Sequence, residues 1–203
     1  MKKLSNITES VWDDIRRRGI GVTVKDEDSW QLEPIKEFIE RHNLKEEEYK
    51  INSDFSLDIY RNIMIKPIDV SKFGEIKLPF KFGKIDGTIW LNDLELKTLE
   101  NSPREVTGDF VIYENKIKDF TGGPEIVGGN FSANVNLLLE SLDGSPKKVG
   151  GNYCIVGCRH IKDISGISPE IGGDLELTNK PFKVFADDEY RKYSNIKGKI
   201  IKK

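Results

Sequence analysis

Cys154, Cys158 and His160 stand as C-x3-C-x-H, residue types that ligate zinc. A zinc site needs these donors to converge, but strand alternation sends Cys154 outward while Cys158 falls in an inward Asn/Cys column of the repeat. His42 is the second histidine of the chain and lies far away in sequence. Both cysteines therefore read as structural, and His160 as a loop residue at an insertion. The acidic pairs Asp13/Asp14 and Asp187/Asp188 could supply a general acid and base. That chemistry needs two carboxyls facing each other across one cleft. Each pair falls instead at a helix start or on a charged face, where carboxylates are ordinary. Gly122-Gly123-Pro124 and Gly128-Gly129 lack the strand–loop–helix context and the Lys-Ser/Thr of a phosphate loop. No nucleophile is paired with a histidine. The expectation is a protein with no catalytic residues, no metal and no cofactor.

The glycines belong to a repeat. Gly87, Gly108, Gly129, Gly151 and Gly173 are spaced by 21, 21, 22 and 22 residues. Two residues after each comes Ile89, Phe110, Phe131, Tyr153 or Leu175, and four after comes Leu91, Ile112, Ala133, Ile155 or Leu177. Further apolar columns are Leu96, Ile117, Leu138 and Ile161, then Leu99, Phe120, Leu142 and Ile164. Pro103, Pro124, Pro146 and Pro169 precede the later glycines and mark a return loop, because proline fixes φ and cannot donate to a ladder. The alternation after each glycine is that of a half-buried strand. One such unit cannot bury its apolar face alone, whereas stacked units share a core.

The same alternation predicts three outward columns. They are Thr88, Asp109, Asn130, Asn152, Asp174; Trp90, Val111, Ser132, Cys154, Glu176; and Asn92, Tyr113, Asn134, Val156, Thr178. Trp90, Val111 and Tyr113 fall together, with Asn92, Asp109, Asn130 and Asn134 around them. Exposed aromatics beside amides and carboxylates make a candidate protein-binding patch. The alternative is that an N-terminal element covers them.

The units also match the leucine-rich pattern L-x-L-x-x-N/C-x-L. Phe110, Ile112, Asn115 and Ile117 fit it, as do Phe131, Ala133, Asn136 and Leu138. Tyr153, Ile155 and Cys158 fit with one extra residue before Ile161. The Asn/Cys column is expected to point inward and bond the bending backbone. The phrases Leu78-Pro79-Phe80-Lys81-Phe82-Gly83-Lys84, Gly128-Gly129-Asn130-Phe131 and Ser141-Leu142-Asp143-Gly144-Ser145-Pro146-Lys147-Lys148-Val149-Gly150-Gly151-Asn152 resemble degenerate leucine-rich-repeat-like proteins of tailed bacteriophages and gut prophages. The opening, Lys3-Leu4-Ser5-Asn6-Ile7-Thr8-Glu9-Ser10-Val11-Trp12-Asp13-Asp14-Ile15-Arg16-Arg17-Arg18, resembles a segment that begins many small proteins of such phages. The resemblance implies a source and a fold rather than an activity.

Around the repeat, Thr8 reads as an N-cap and Gly19 as a stop, giving a short helix whose apolar stripe is Val11, Trp12 and Ile15, with Arg16 beside it. This arm must dock somewhere, on its own repeat domain or on another protein. A second helix is expected over Glu33–Asn43, strands over Phe55–Ile59 and Asn62–Ile65, and a decayed first repeat at Ile68–Val70 and Ile76–Leu78. A short helix from Asp187 to Tyr193, with Phe182–Phe185 before it, would close the stack. The tail Ile196–Lys203, with Lys197, Lys199, Lys202 and Lys203, reads as solvated. The fold class is thus α+β: a short leucine-rich-repeat-like β-solenoid of about five or six turns with a parallel sheet. Residues 1–31 form an arm and linker, 32–67 an α/β cap, 68–181 the solenoid and 182–203 a C-terminal cap and basic tail.

Composition fits a folded chain, with 37% hydrophobic and 33% charged residues. A net charge of −2 gives no electrostatic reason for nucleic acid as partner. No apolar run is long enough to span a bilayer, and no secretory signal follows Met1. Two cysteines suit a reducing interior. The expected function is a non-catalytic protein-binding or structural repeat protein of a bacteriophage. Its partner would be a phage structural or host protein, in the host cytoplasm or the virion. The alternatives are a nucleotide or glycan binder or enzyme using a cleft between cap and solenoid, and a host-directed inhibitor.

Overall fold

The computed structural model describes residues 29–70, 76–177 and 186–202. Val11, Trp12, Ile15 and Arg16 of the expected docking arm, and Phe182–Phe185, lie outside the described residues. The chain winds into a parallel β-solenoid of about six turns.

Helix α1 (Ser29–Arg41) starts four residues before the expected boundary. Leu32, Ile35, Phe38 and Ile39 share its buried face, at the spacing of one helical stripe. It ends where Asn43 turns left-handed, with φ 47°, and the N–H of Leu44 reaches back to the carbonyl of Ile39. Phe38 packs edge-on against Phe80 and Phe82, at 5.3 and 5.5 Å between ring centres, and so seats the helix on the start of the stack.

Each turn contributes two short strands rather than the one expected. The first sheet runs β1 (Tyr49–Ile51), β2 (Leu57–Ile59), β4 (Phe82–Ile85), β6 (Glu105–Val106), β8 (Ile126–Val127), β10 (Lys148–Val149), β12 (Glu170–Ile171), β14 (Asn195–Ile196). The second runs β3 (Ile63–Met64), β5 (Ile89–Trp90), β7 (Phe110–Val111), β9 (Phe131–Ser132), β11 (Tyr153–Ile155), β13 (Leu175–Leu177), β15 (Ile200–Lys202). Among the described residues every strand pairing is parallel except β1 with β2. The prolines lead straight into the first sheet: Pro103, Pro124 and Pro146 are buried and the strand begins two residues later. The strands expected within a cap, β2 and β3, already belong to the two sheets and make the first turn. Ile68–Val70 is a turn, and Ile68 is exposed.

The two sheets meet at the glycine corner. Backbone N–H groups of Gly108, Gly129, Gly151, Gly173 and Gly198 each donate to the preceding glycine of the column at 2.8–2.9 Å. There is no room for a side chain here. A Cβ on Gly150 would lie 2.0 Å from the carbonyl oxygen of Gly128.

The core lies between the sheets. The first sheet points Ile59, Ile85, Val106, Val127, Val149, Ile171 and Ile196 inward, and the second points Ile63, Ile89, Phe110, Phe131, Tyr153 and Leu175 inward, all buried. Phe110, Phe131 and Tyr153 stack as a column, with centroids 5.8 and 5.0 Å apart. One core position differs from expectation. Leu139, not Leu138, is buried, because the extra residue of this longer unit falls just after Asn136 and pushes Leu137 and Leu138 into solvent. The tail also differs. Ile196 is buried, and β14 and β15 pair with β12 and β13 as a last turn. Helix α2 (Asp187–Tyr193) lies against it, with the Lys202 ammonium 2.7 Å from Asp187 and 5.6 Å from the Tyr190 ring centre.

Candidate interaction surface on the second sheet

The outward rows of β5, β7 and β9 form a three-by-three grid. Its rows are Thr88, Trp90, Asn92; Asp109, Val111, Tyr113; and Asn130, Ser132, Asn134. Register puts Trp90 opposite Val111 and Val111 opposite Ser132, roughly 4.8 Å apart between strands. The ladder continues past the strand ends, since Asp93 N–H donates to Tyr113 O and Glu114 N–H to Asn134 O. All seven expected binding residues therefore lie on one face: Trp90, Asn92, Asp109, Val111, Tyr113, Asn130 and Asn134. Tyr113 is 39% exposed, and Trp90 and Val111 are half-buried. The sequence reading missed Met64, which pairs with Trp90 and is 56% exposed, extending the apolar strip by one turn.

The polar columns do structural service as well. Side-chain oxygens of Asn62, Thr88, Asp109, Asn130, Asn152 and Asp174 each accept the N–H of the next turn at 2.6–3.0 Å. Asn92 and Asn134 do the same for Tyr113 and Val156, at 3.2 and 2.7 Å. The grid is thus held by its own polar side chains, and Asn134 Nδ2 also donates to Ser132 Oγ at 3.2 Å.

At the next corner a column of left-handed residues turns the chain away: Asp93 (φ 52°), Glu114 (56°), Val135 (60°) and Gly157 (85°). Inside that corner lies the expected ladder. Asn115 Oδ1 accepts the N–H groups of Leu94 and Leu96, and its Nδ2 donates to Leu91 O at 2.6 Å. Asn136 Oδ1 accepts Asn115 N–H at 2.8 Å, and its Nδ2 donates to Ile112 O and Ala133 O. Cys158 takes the next place, with its thiol donating to Ala133 O at 3.1 Å. Burial pushes that thiol up to about 11, so it is not a reactive group at neutral pH. Cys154 is half-exposed on the outer sheet face and His160 is exposed in a loop. Among the described residues, no three His, Cys, Asp or Glu groups converge as a metal would need.

The first sheet presents a different face. Its outward carboxylates are matched by bases from adjacent turns: Glu105 with Lys84, Glu125 with Arg104 and Lys147, Glu170 with Lys148, at 2.6–3.3 Å. These exposed pairs set three carboxylates against four bases.

One further cluster escaped sequence reasoning. Asp69, fully buried, accepts Arg41 Nη1 at 2.6 Å and Lys66 N–H at 2.8 Å, and lies 2.8 Å from His42 Nε2. Burial alone would raise its pKa, but the bonds from His42, Lys66 and Arg41 outweigh this and hold it below the ordinary value. A histidine–carboxylate pair can do acid–base work where a substrate reaches it. Here His42 is 6% exposed and its ring lies 4.2 Å from that of Phe38. The arrangement ties the end of α1 to the turn after β3.

Two shallow hollows lie beside α2. The larger, about 390 Å³, is lined by Pro169 and residues 191–196, and the smaller, about 150 Å³, by Asp163, Ile164, Ser165, Glu189, Lys192 and Tyr193. Neither is lined by residues of α1. Comparison of the chain with protein-family models, with curated proteins and with solved structures finds no match.

Proposed function

We propose that this chain is a non-catalytic protein-binding repeat module that engages its partner through the outer face of the second sheet. The observation that carries the reading is the grid itself. Met64, Trp90, Val111 and Tyr113 make a strip of apolar and aromatic side chains on a rigid sheet, rimmed by Asn92, Asn130, Ser132 and Asn134. Aromatic anchors among small amides and hydroxyls are the composition of protein-recognition surfaces, because they give contact area at low entropic cost. The inward Asn115–Asn136–Cys158 ladder supports a leucine-rich-repeat-like assignment for the solenoid. The resemblance of the repeat phrases supports a bacteriophage source, with the partner a phage structural or host protein and the setting the host cytoplasm or the virion. In this reading residues 11–16 dock the module to an assembly.

The test is quantitative binding of the full chain to a partner isolated from its native source. The Trp90→Ala, Tyr113→Ala double variant should weaken binding by a hundredfold or more, since anchors of this kind are worth about 2 kcal/mol each. Unchanged binding removes this face from the proposal. A thermal-shift screen with nucleotides and sugars separates the small-molecule alternative, which predicts stabilisation by one of them.

A further inference from the structure

We infer that the partner meets this face with a basic protein segment, an arginine beside an apolar anchor. The inference rests on the protein-binding reading above and assigns the chemistry of the partner. Twelve outward positions lie on β5, β7, β9 and β11 and their continuations: 88, 90, 92, 109, 111, 113, 130, 132, 134, 152, 154 and 156. None is lysine or arginine. Three carboxylates border Trp90 and Tyr113. Asp109 shares the row of Val111 and Tyr113, while Asp93 and Glu114 directly follow Asn92 and Tyr113 at the corner. Among the described residues none of the three is in an ion pair, whereas Glu105, Glu125 and Glu170 on the first sheet all are. Asp109 is already committed through Oδ1 to Asn130 N–H, which fixes its orientation at no further entropic cost.

The complementarity follows from geometry. A guanidinium can lie flat on an indole or phenol ring and donate to a carboxylate at the same time. Trp90 and Tyr113 supply the rings, and Asp109 and Glu114 the acceptors. An apolar anchor from the same segment would fill the strip from Met64 to Val111. An acidic segment would meet three unpaired carboxylates against Lys66 at the β3 edge, a negative excess whose like-charge repulsion disfavours it.

Short random peptides displayed on particles and selected against the immobilised full chain test this. Peptides directed at the face are those that lose binding to the Trp90→Ala, Tyr113→Ala variant. They should be enriched in arginine and lose about tenfold in affinity against Asp93→Asn, Asp109→Asn, Glu114→Gln. They should also weaken in 1 M salt. The amide variants keep the Asp109 acceptor oxygen, and an unchanged melting temperature confirms the fold. Face-directed peptides that are neutral or acidic, or indifferent to the amide variants, overturn the basic-partner inference and leave the binding face standing. If selection yields no face-directed peptides, the protein-binding reading itself fails.

Discussion

Asp109 Oδ1 accepts the backbone N–H of Asn130 at 2.6 Å, so a surface carboxylate on one turn fixes the backbone of the next. The same column uses Asn62, Thr88, Asn130, Asn152 and Asp174 for the same bond. What the position demands is an oxygen at the right height, not a charge. Asp109→Asn is therefore expected to leave stability within about 0.5 kcal/mol, and Asp109→Ala to cost about 1 kcal/mol. Urea unfolding of the two variants checks this.

Asn136 makes three buried bonds, to Asn115 N–H, Ile112 O and Ala133 O. Asn136→Ala strands these backbone groups away from water and should cost about 3 kcal/mol. Asn136→Cys should cost less, since Cys158 fills the equivalent place one turn on and bonds Ala133 O. Equal losses for the two variants would show that volume, not hydrogen bonding, governs the column.

Val135 holds φ 60° in a column that continues with Gly157. A β-branched residue in the left-handed region carries about 1–2 kcal/mol of strain. Glycine relieves it and gives part back as chain entropy. Val135→Gly should thus raise stability by about 0.5–1 kcal/mol, visible as a higher urea midpoint with unchanged slope.

The carboxyl of Asp69 is held below its ordinary value by His42, Lys66 and Arg41. A depressed folded-state pKa means that its contribution is complete above the unfolded value, about 3.9. The contribution is lost as pH falls through the lower folded value. Asp69→Asn removes this dependence, so the variant should show a shallower fall in stability between pH 4 and lower values. Asp69→Ala, which leaves Arg41 and His42 facing a void, should cost about 3 kcal/mol at pH 7. A parallel acid limb for wild type and Asp69→Asn would refute the assignment.

Cys158 is buried with a raised pKa while Cys154 is half-exposed on the sheet. A thiol reagent at pH 7.5 should modify Cys154 in the native protein and reach Cys158 only at the rate of unfolding. Peptide mapping by mass spectrometry distinguishes the two.

The second sheet was legible in the sequence because β5, β7, β11 and β13 each carry two large inward residues in alternation behind a glycine. The first sheet was not. From β6 onward its strands are two residues long with one inward side chain, as in Glu105–Val106 or Lys148–Val149, and two residues hold no period. The recurring valine before the glycine pair was the available signal. Gly198-x-Ile200 repeats the unit signature, but the flanking lysines made the segment look like a tail. Leu139 was hidden because an insertion shifts register without changing composition: three leucines in a row, Leu137–Leu139, all suit a core. On the face, Trp90 and Tyr113 were legible from alternation. Asp93 and Glu114 were not, because they sit at a corner where side-chain direction depends on a left-handed φ. Asp69, His42 and Arg41 come from distant segments that only the fold unites.

The strand register described above also makes the molecule a ruler. Each turn advances the stack by roughly 4.8 Å along the axis, with hydrogen bonds running in that same direction. The rise from Trp90 to Glu176 is four steps, or about 19 Å. Inserting or deleting one 21- or 22-residue unit would move every downstream group by one step and leave the corner geometry of its neighbours as it was. Length can therefore change without redesign of the recognition chemistry, and a partner that spans several turns reads distance as well as side chains.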